Sequence, residues 1–232
     1  MDQKYLIFES ERNLDFKNKG LLQQAFIHRS YINEHKDTGL EHNERLEFLG
    51  DAVLELVVTD FLYAKYPDVP EGKLTAYRSA LVRTESIGKA ARDMGMNDLL
   101  MLSKGESRDQ GKARDYILAN TFEAFVGAVY LDRGYESAKN IIADSLFGNI
   151  ESIISEGSWR DAKSYVQEKS QEIYNETPRY ELVSSEGPDH DKNFVMAIYF
   201  GNKKIAEGTG NSKQKAQQSA AQSALEKEAW EE

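Results

Sequence analysis

From the N-terminus to about Ser155, apolar residues recur at helical spacing, and the pattern breaks at Gly20, Gly39, Tyr66 to Gly72, Gly95, Gly105 to Gly111 and Gly134. The spacing predicts an all-helical first domain over residues 1–155. A polar stretch, SEGSW (Ser155 to Trp159), opens a linker expected at 156–161. Beyond it the pattern becomes helix (Ala162 to Tyr174), three short strands (Tyr180 to Ser185, Phe194 to Phe200, Lys203 to Thr209) and helix (Lys213 to Glu228). The expected fold class is therefore α+β: a helical N-terminal domain followed by a small α-β-β-β-α domain over 162–229. Gly201-Asn202 is a two-residue hairpin loop, and Ser212 is a good N-cap for the last helix. On that helix Ala216, Ala220, Ala221, Ala224 and Leu225 form one apolar stripe suited to packing on a small sheet.

Within the helical part, NERLEFLGDAVLELVV (Asn43 to Val58) places Glu44, Glu47 and Asp51 on one narrow arc, at i, i+3 and i+7. Leu46, Leu49, Val53, Leu56 and Val57 cover the opposite side. The plain structural alternative is a solvated face of an amphipathic helix. A second segment, DYILANTFEAFVGAVYL (Asp115 to Leu131), is apolar on every side of the helical wheel, the pattern of a buried helix. Its interior polar residues are Asn120, Thr121 and Glu123. An isolated ionised carboxylate is costly in a low-dielectric interior, so Glu123 needs a compensating charge, and no Lys, Arg or His lies between Asp115 and Leu131. Two accounts are open at this point. A hard cation such as Mg2+ or Mn2+ suits several oxygen ligands without His or Cys, and converging acids repel unless neutralised. A buried salt bridge from Arg45, Arg78 or Arg83 is the other.

Composition first opposes and then refines a nucleic-acid reading. With 29 Lys and Arg against 39 Asp and Glu, the net charge of -10 repels phosphate backbones. Neither part is basic: residues 159–232 hold 10 Lys and Arg against 13 Asp and Glu, net -3, and residues 1–158 hold 19 against 26, net -7. Local features point the other way. Ser164, Gln167 and Gln171 form a polar row at i, i+3 and i+7, suited to 2′-hydroxyls and base edges in the shallow groove of A-form RNA, although a merely solvated face has the same pattern. GTGNSKQK (Gly208 to Lys215) leads into a helix start flanked by lysines, a phosphate-binding arrangement to which Lys203 and Lys204 add charge. His190, in the loop GPDHDKNF, is a weaker candidate for groove contact.

The absence of cysteine removes thiol nucleophiles, disulfides, thiolate zinc sites and iron-sulfur clusters. The N-terminus, MDQKYLIFESER, is unlike a signal peptide, and no apolar run reaches the ~20 residues that span a bilayer. A soluble, cytoplasmic protein without membrane partner or small-molecule cofactor is expected.

NERLEFLGDAV resembles the signature of bacterial ribonuclease III, and ILANTFEAFVGAVYLD resembles that family's second acidic segment. HRSY (His28 to Tyr31) and PEGKLTAYRSALV (Pro70 to Val82) also fit. KSYVQEKSQ, GPDHDKNF and GTGNSKQKAQQSAA are similar to a double-stranded RNA-binding domain. The resemblance implies a Mg2+-dependent endoribonuclease, with Mn2+ as a possible substitute, in which Glu47, Asn120 and Glu123 hold the metal. Asp51 and Glu123 would be the catalytic pair that positions and activates water, and Glu44 and Glu71 would border the cleft. It further implies RNA contacts by Ser164, Gln167, Gln171, His190, Ser212, Lys213 and Lys215. The implied assembly is a homodimer into whose partner Phe48 inserts, cutting opposite strands of double-stranded RNA to 5′-phosphates, 3′-hydroxyls and short 3′ overhangs. Processing of rRNA, mRNA and tRNA precursors is the implied role. Asn120 stands where many members have aspartate, which implies a raised Mg2+ requirement. A catalytically inactive RNA-binding homologue and a metal hydrolase of small phosphorylated molecules are the rival readings.

Overall fold

A computed structural model describes residues 2–108, 111–188 and 192–228. It divides into two compact units, Met1–Trp159 and Arg160–Glu232. Among the described residues, the first unit is helical: α1 (Gln3–Glu11), α2 (Lys19–Ala25), α3 (Arg29–Glu34), α4 (Glu44–Lys65), α5 (Glu71–Leu81), α6 (Thr84–Asp93), α7 (Lys112–Arg133), α8 (Tyr135–Leu146) and α9 (Ile150–Ser155), with short 3-10 turns between some of them. The expected break at Gly20 lies inside α2, because Asn18 caps that helix by accepting the Gly20 N–H at 3.0 Å. Leu54, Val57 and Val58 of α4 and Phe122, Phe125, Val126 and Val129 of α7 lie fully buried in one core with Tyr5, Phe26 and Leu22. Trp159, in the stretch expected as linker, packs partly buried on this core, edge-on to Tyr77 at 5.0 Å between ring centroids.

The second unit runs α10 (Ala162–Tyr174), β1 (Arg179–Glu186), β2 (Asn193–Phe200), β3 (Lys203–Gly210) and α11 (Lys213–Glu228). The sheet is antiparallel in the order β1-β2-β3, and Phe200 pairs with Lys203 across the Gly201-Asn202 turn. A separate core forms where Ala220, Ala221 and Ala224 of α11 and Val166 of α10 meet Ile198, Phe200 and Ala206 of the sheet. The alanine stripe allows this close packing, and β3 contributes to it. A Cβ on Gly208 would collide with the backbone nitrogen of Ala220, and one on Gly210 would lie 2.6 Å from that of Ala216. Among the described residues, no helix is long and apolar enough to cross a membrane.

Candidate active site and nucleic-acid interface

The two acidic segments of the sequence are the two long helices of the first unit, and they cross backbone to backbone. A Cβ on Gly50 of α4 would strike the carbonyl oxygen of Glu123 and lie 2.8 Å from the Gly127 nitrogen. A Cβ on Gly127 of α7 would strike the Leu46 carbonyl oxygen. Glycine inside a helix costs about 0.5–1 kcal/mol relative to alanine, and here it permits an approach that no larger residue allows. The contact joins the segment Leu46 to Asp51 directly to Glu123. The start of α4 is fixed as well: buried Asn43 donates its side-chain amide to the Ala25 carbonyl at 3.0 Å and its backbone N–H to Ile27 at 2.9 Å.

The acids of the two helices act on one another across this crossing. Burial pushes the Glu123 carboxyl up from 4.5 to about 7, with further contributions from Asp51, Glu47 and Glu55. Glu47 is also raised, by burial first and then by Glu44 and Asp51. Among the described residues, Glu47, Asp51, Asn120 and Glu123 have no ion pair or hydrogen bond from their side chains. Of Arg45, Arg78 and Arg83, none makes an ion pair with Glu123 among the described residues, and two are held elsewhere. Arg78 pairs with Glu55 at 2.9 Å and donates to Thr59 at 3.0 Å, while Arg83 donates to the Ser158 carbonyl at 3.5 Å. A salt bridge to Glu123 is therefore absent from the described residues.

Among the described residues, no group of three or more His, Cys, Asp or Glu side chains is arranged to hold a metal. The expected ligand set is smaller in carboxylates, two glutamates and the amide of Asn120, with Asn120 and Glu123 one helical turn apart. Half-buried carboxylates with no protein cation beside them, in an all-oxygen donor set, fit a hard divalent ion.

The remaining predicted residues of this unit are scattered around that crossing. Glu44 pairs with Arg29 at 3.2 Å. Glu71 is not among the charges that shift Glu123; it accepts the Thr75 hydroxyl at 3.1 Å and lines a groove with Tyr63, Leu74 and Arg78. Phe48 is 82% exposed, and Leu56 and Tyr63 extend its apolar face along α4. Leu56 was expected to face the core; it is 58% exposed. Nor is α7 buried all round, since Tyr116 and Leu131 stand out from it. Gly50 and Gly127, which the pattern did not single out, bring the two helices together, and Glu55 adds to the negative field at Glu123. The readable signal for the two glycines was their position within helices otherwise built from good formers.

In the second unit Ser164, Gln167 and Gln171 are exposed along α10, lining one groove with Glu168 and Glu172. Asp161 caps that helix, accepting the Ser164 N–H at 2.9 Å, and is held in turn by Gln218 of α11 at 3.0 Å. At the start of α11, Ser212 Oγ accepts the Lys215 N–H at 3.2 Å, and Lys213 and Lys215 are exposed beside it. Lys204 is tied to Glu207 at 2.6 Å, which offsets its charge. His190 lies outside the described residues.

Residues 18–150 match the family model described as ribonuclease-III-like, and residues 162–228 match the double-stranded RNA binding motif. Ribonuclease 3 of Enterococcus faecalis is 44% identical over 213 residues, covering 90% of this chain and 91% of that protein. Ribonuclease 3 of Bdellovibrio bacteriovorus is 42% identical over 227 residues, 97% of each. Among solved structures, the nuclease domain of ribonuclease III from Campylobacter jejuni, described as flexible in a region involved in dimer formation, superposes with a TM-score of 0.53 at 38% identity. It covers 60% of this chain and 95% of that one.

Proposed function

From the premise that this chain belongs to the ribonuclease III family of endoribonucleases, we propose that it cuts double-stranded RNA in a reaction that requires Mg2+, for which Mn2+ substitutes. The observation that carries this reading is the set of half-buried acids at the α4–α7 crossing with no protein cation beside them. Glu47, Asn120 and Glu123 would hold the divalent ion. When bound, it supplies charge neutralisation at the scissile phosphate and a lowered pKa for water. Asp51 and Glu123 orient the attacking water and accept its proton. Burial and the neighbouring acids raise the Glu123 carboxyl to about 7 in the metal-free chain, an unfavourable setting that a bound divalent cation would relieve. In-line attack then leaves a 5′-phosphate and a 3′-hydroxyl.

The second unit reads duplex shape through Ser164, Gln167 and Gln171 and holds backbone phosphate through Ser212, Lys213 and Lys215 at the start of α11. His190 belongs to the same proposed surface. The exposed apolar face of Phe48, Leu56 and Tyr63 supports a homodimer in which two sites cut opposite strands and leave short 3′ overhangs, with Glu44 and Glu71 bordering the cleft. The proposed setting is cytoplasmic processing of rRNA, mRNA and tRNA precursors. The test is incubation of a long RNA duplex with wild type and Glu123→Ala, with and without Mg2+. Cleavage by wild type in Mg2+ alone supports the reading. Equal cutting by Glu123→Ala overturns the site, and binding without cutting by both proteins favours an inactive RNA-binding homologue.

A further inference from the structure

At the rim of the acidic site, where α3 meets the start of α4, the Nη1 of Arg29 lies 3.2 Å from Glu44 Oε1. The Nδ1 of His42 lies 3.7 Å from the other carboxylate oxygen and accepts the Glu44 N–H at 3.4 Å. The backbone beneath Arg29 is fixed on both sides. The Ile27 carbonyl accepts the Asn43 N–H at 2.9 Å, and the His28 N–H donates to Met101 at 3.1 Å. The His28 ring contacts Ser30 Oγ at 2.8 Å, and that hydroxyl accepts the Ser103 N–H at 3.1 Å. Arg29 therefore projects from an anchored turn toward the first residue of α4, three and seven positions before Glu47 and Asp51.

We propose that Arg29 binds a non-bridging phosphate oxygen of the RNA backbone beside the acidic site, and that Glu44 is a positioning residue that aims its guanidinium. This rests on the functional reading above. RNA entering the field of Glu47, Asp51 and Glu123 meets repulsion that a fixed cation at the rim offsets. The guanidinium offers five N–H donors, its pair with Glu44 engages Nη1, and the side chain is 65% exposed, so donors remain on the solvent side for a phosphate. An exposed ion pair of this kind adds little to folding, so its variants should remain folded.

The experiment measures duplex affinity across a range of KCl in a Glu123→Gln background, together with cleavage kinetics in the wild-type background. Arg29→Ala is expected to weaken binding about tenfold and to lower the slope of log affinity against log salt by about one, while Arg29→Lys keeps the slope. In cleavage, Arg29→Ala and Glu44→Gln each raise KM with little change in kcat or in the Mg2+ midpoint, and the double variant is no worse than Arg29→Ala alone. An unchanged salt slope in Arg29→Ala overturns the phosphate contact. A Glu44→Gln effect that adds to that of Arg29→Ala and shifts the Mg2+ midpoint overturns the positioning role, since Glu44 would then serve the cation. A Glu123→Gln protein that binds no duplex overturns the functional reading as well, and is distinguishable because every background then fails.

Discussion

The acids at the α4–α7 crossing and the polar row on α10 are both sets of hydrophilic side chains at helical spacing, but the fold treats them in opposite ways. On α4 and α7 two glycines bring the backbones together, and Glu47 and Glu123 are left half-buried with raised pKa values and no cationic partner. On α10 Ser164, Gln167 and Gln171 stay exposed, and the helix is held from its other side by Val166 and the alanines of α11. The first arrangement concentrates electrostatic free energy at one point, which suits chemistry. The second spreads uncharged donors and acceptors along a surface, which suits shape recognition. The same periodicity therefore carries different chemistry according to what packs behind it.

The sharpest way to break this contrast is to remove chemistry and leave recognition intact. Asp51→Asn is expected to lower the single-turnover cleavage rate about 10³-fold while leaving duplex affinity within about twofold. Cleavage and filter binding on one labelled duplex check this. Next in size is Gly50→Ala, which places a Cβ against the Glu123 carbonyl and should cost about 3 kcal/mol of stability. Gln167→Ala, on the exposed face, should cost under about 0.5 kcal/mol, and urea denaturation separates the two. Smaller again, Lys213→Ala with Lys215→Ala should weaken duplex binding about tenfold and lower the salt slope by about two, with the saturated cleavage rate preserved.

The smallest effect is a pH dependence. Because Glu123 has its folded-state pKa raised from 4.5 to about 7, the folded chain keeps a proton that the unfolded chain releases within that window. The stability this group contributes is present below its unfolded value and is lost as pH rises through about 7. In divalent-free buffer the wild-type melting temperature should fall by about 3 °C more than that of Glu123→Gln between about pH 5 and pH 8. Added Mg2+ should raise it more at the higher pH. Parallel melting curves for the two proteins would remove the pKa argument.

Much of the second unit was legible because its core is local and turn and cap residues mark its element ends: α10 and α11 have the limits that spacing predicts, and the strands extend those predictions by about one residue. In the first unit periodicity found the helices and the acidic arc, but a helical wheel does not say which neighbour covers which face. Leu56 fell with the core residues on the wheel yet lies exposed with Phe48 and Tyr63. The segment around Glu123 read as buried all round, although Tyr116 is 60% exposed. Lys204 was counted as phosphate-facing charge, but Glu207, three residues on along the same strand, pairs with it. The exposure of Leu56 and Tyr116 depends on tertiary packing that a helical wheel does not contain, whereas the Lys204 pair is local and was legible in the sequence.

The claim on which the others depend is that the oxygen donors at the α4–α7 crossing, Asn120 among them, hold the divalent ion. Its most direct test is the Mg2+ concentration giving half-maximal single-turnover cleavage, compared between wild type and Asn120→Asp. Restoring a carboxylate adds negative charge to the donor set, so the aspartate variant is expected to reach its midpoint at lower Mg2+. Equal midpoints, or a higher one for the aspartate variant, would contradict the account.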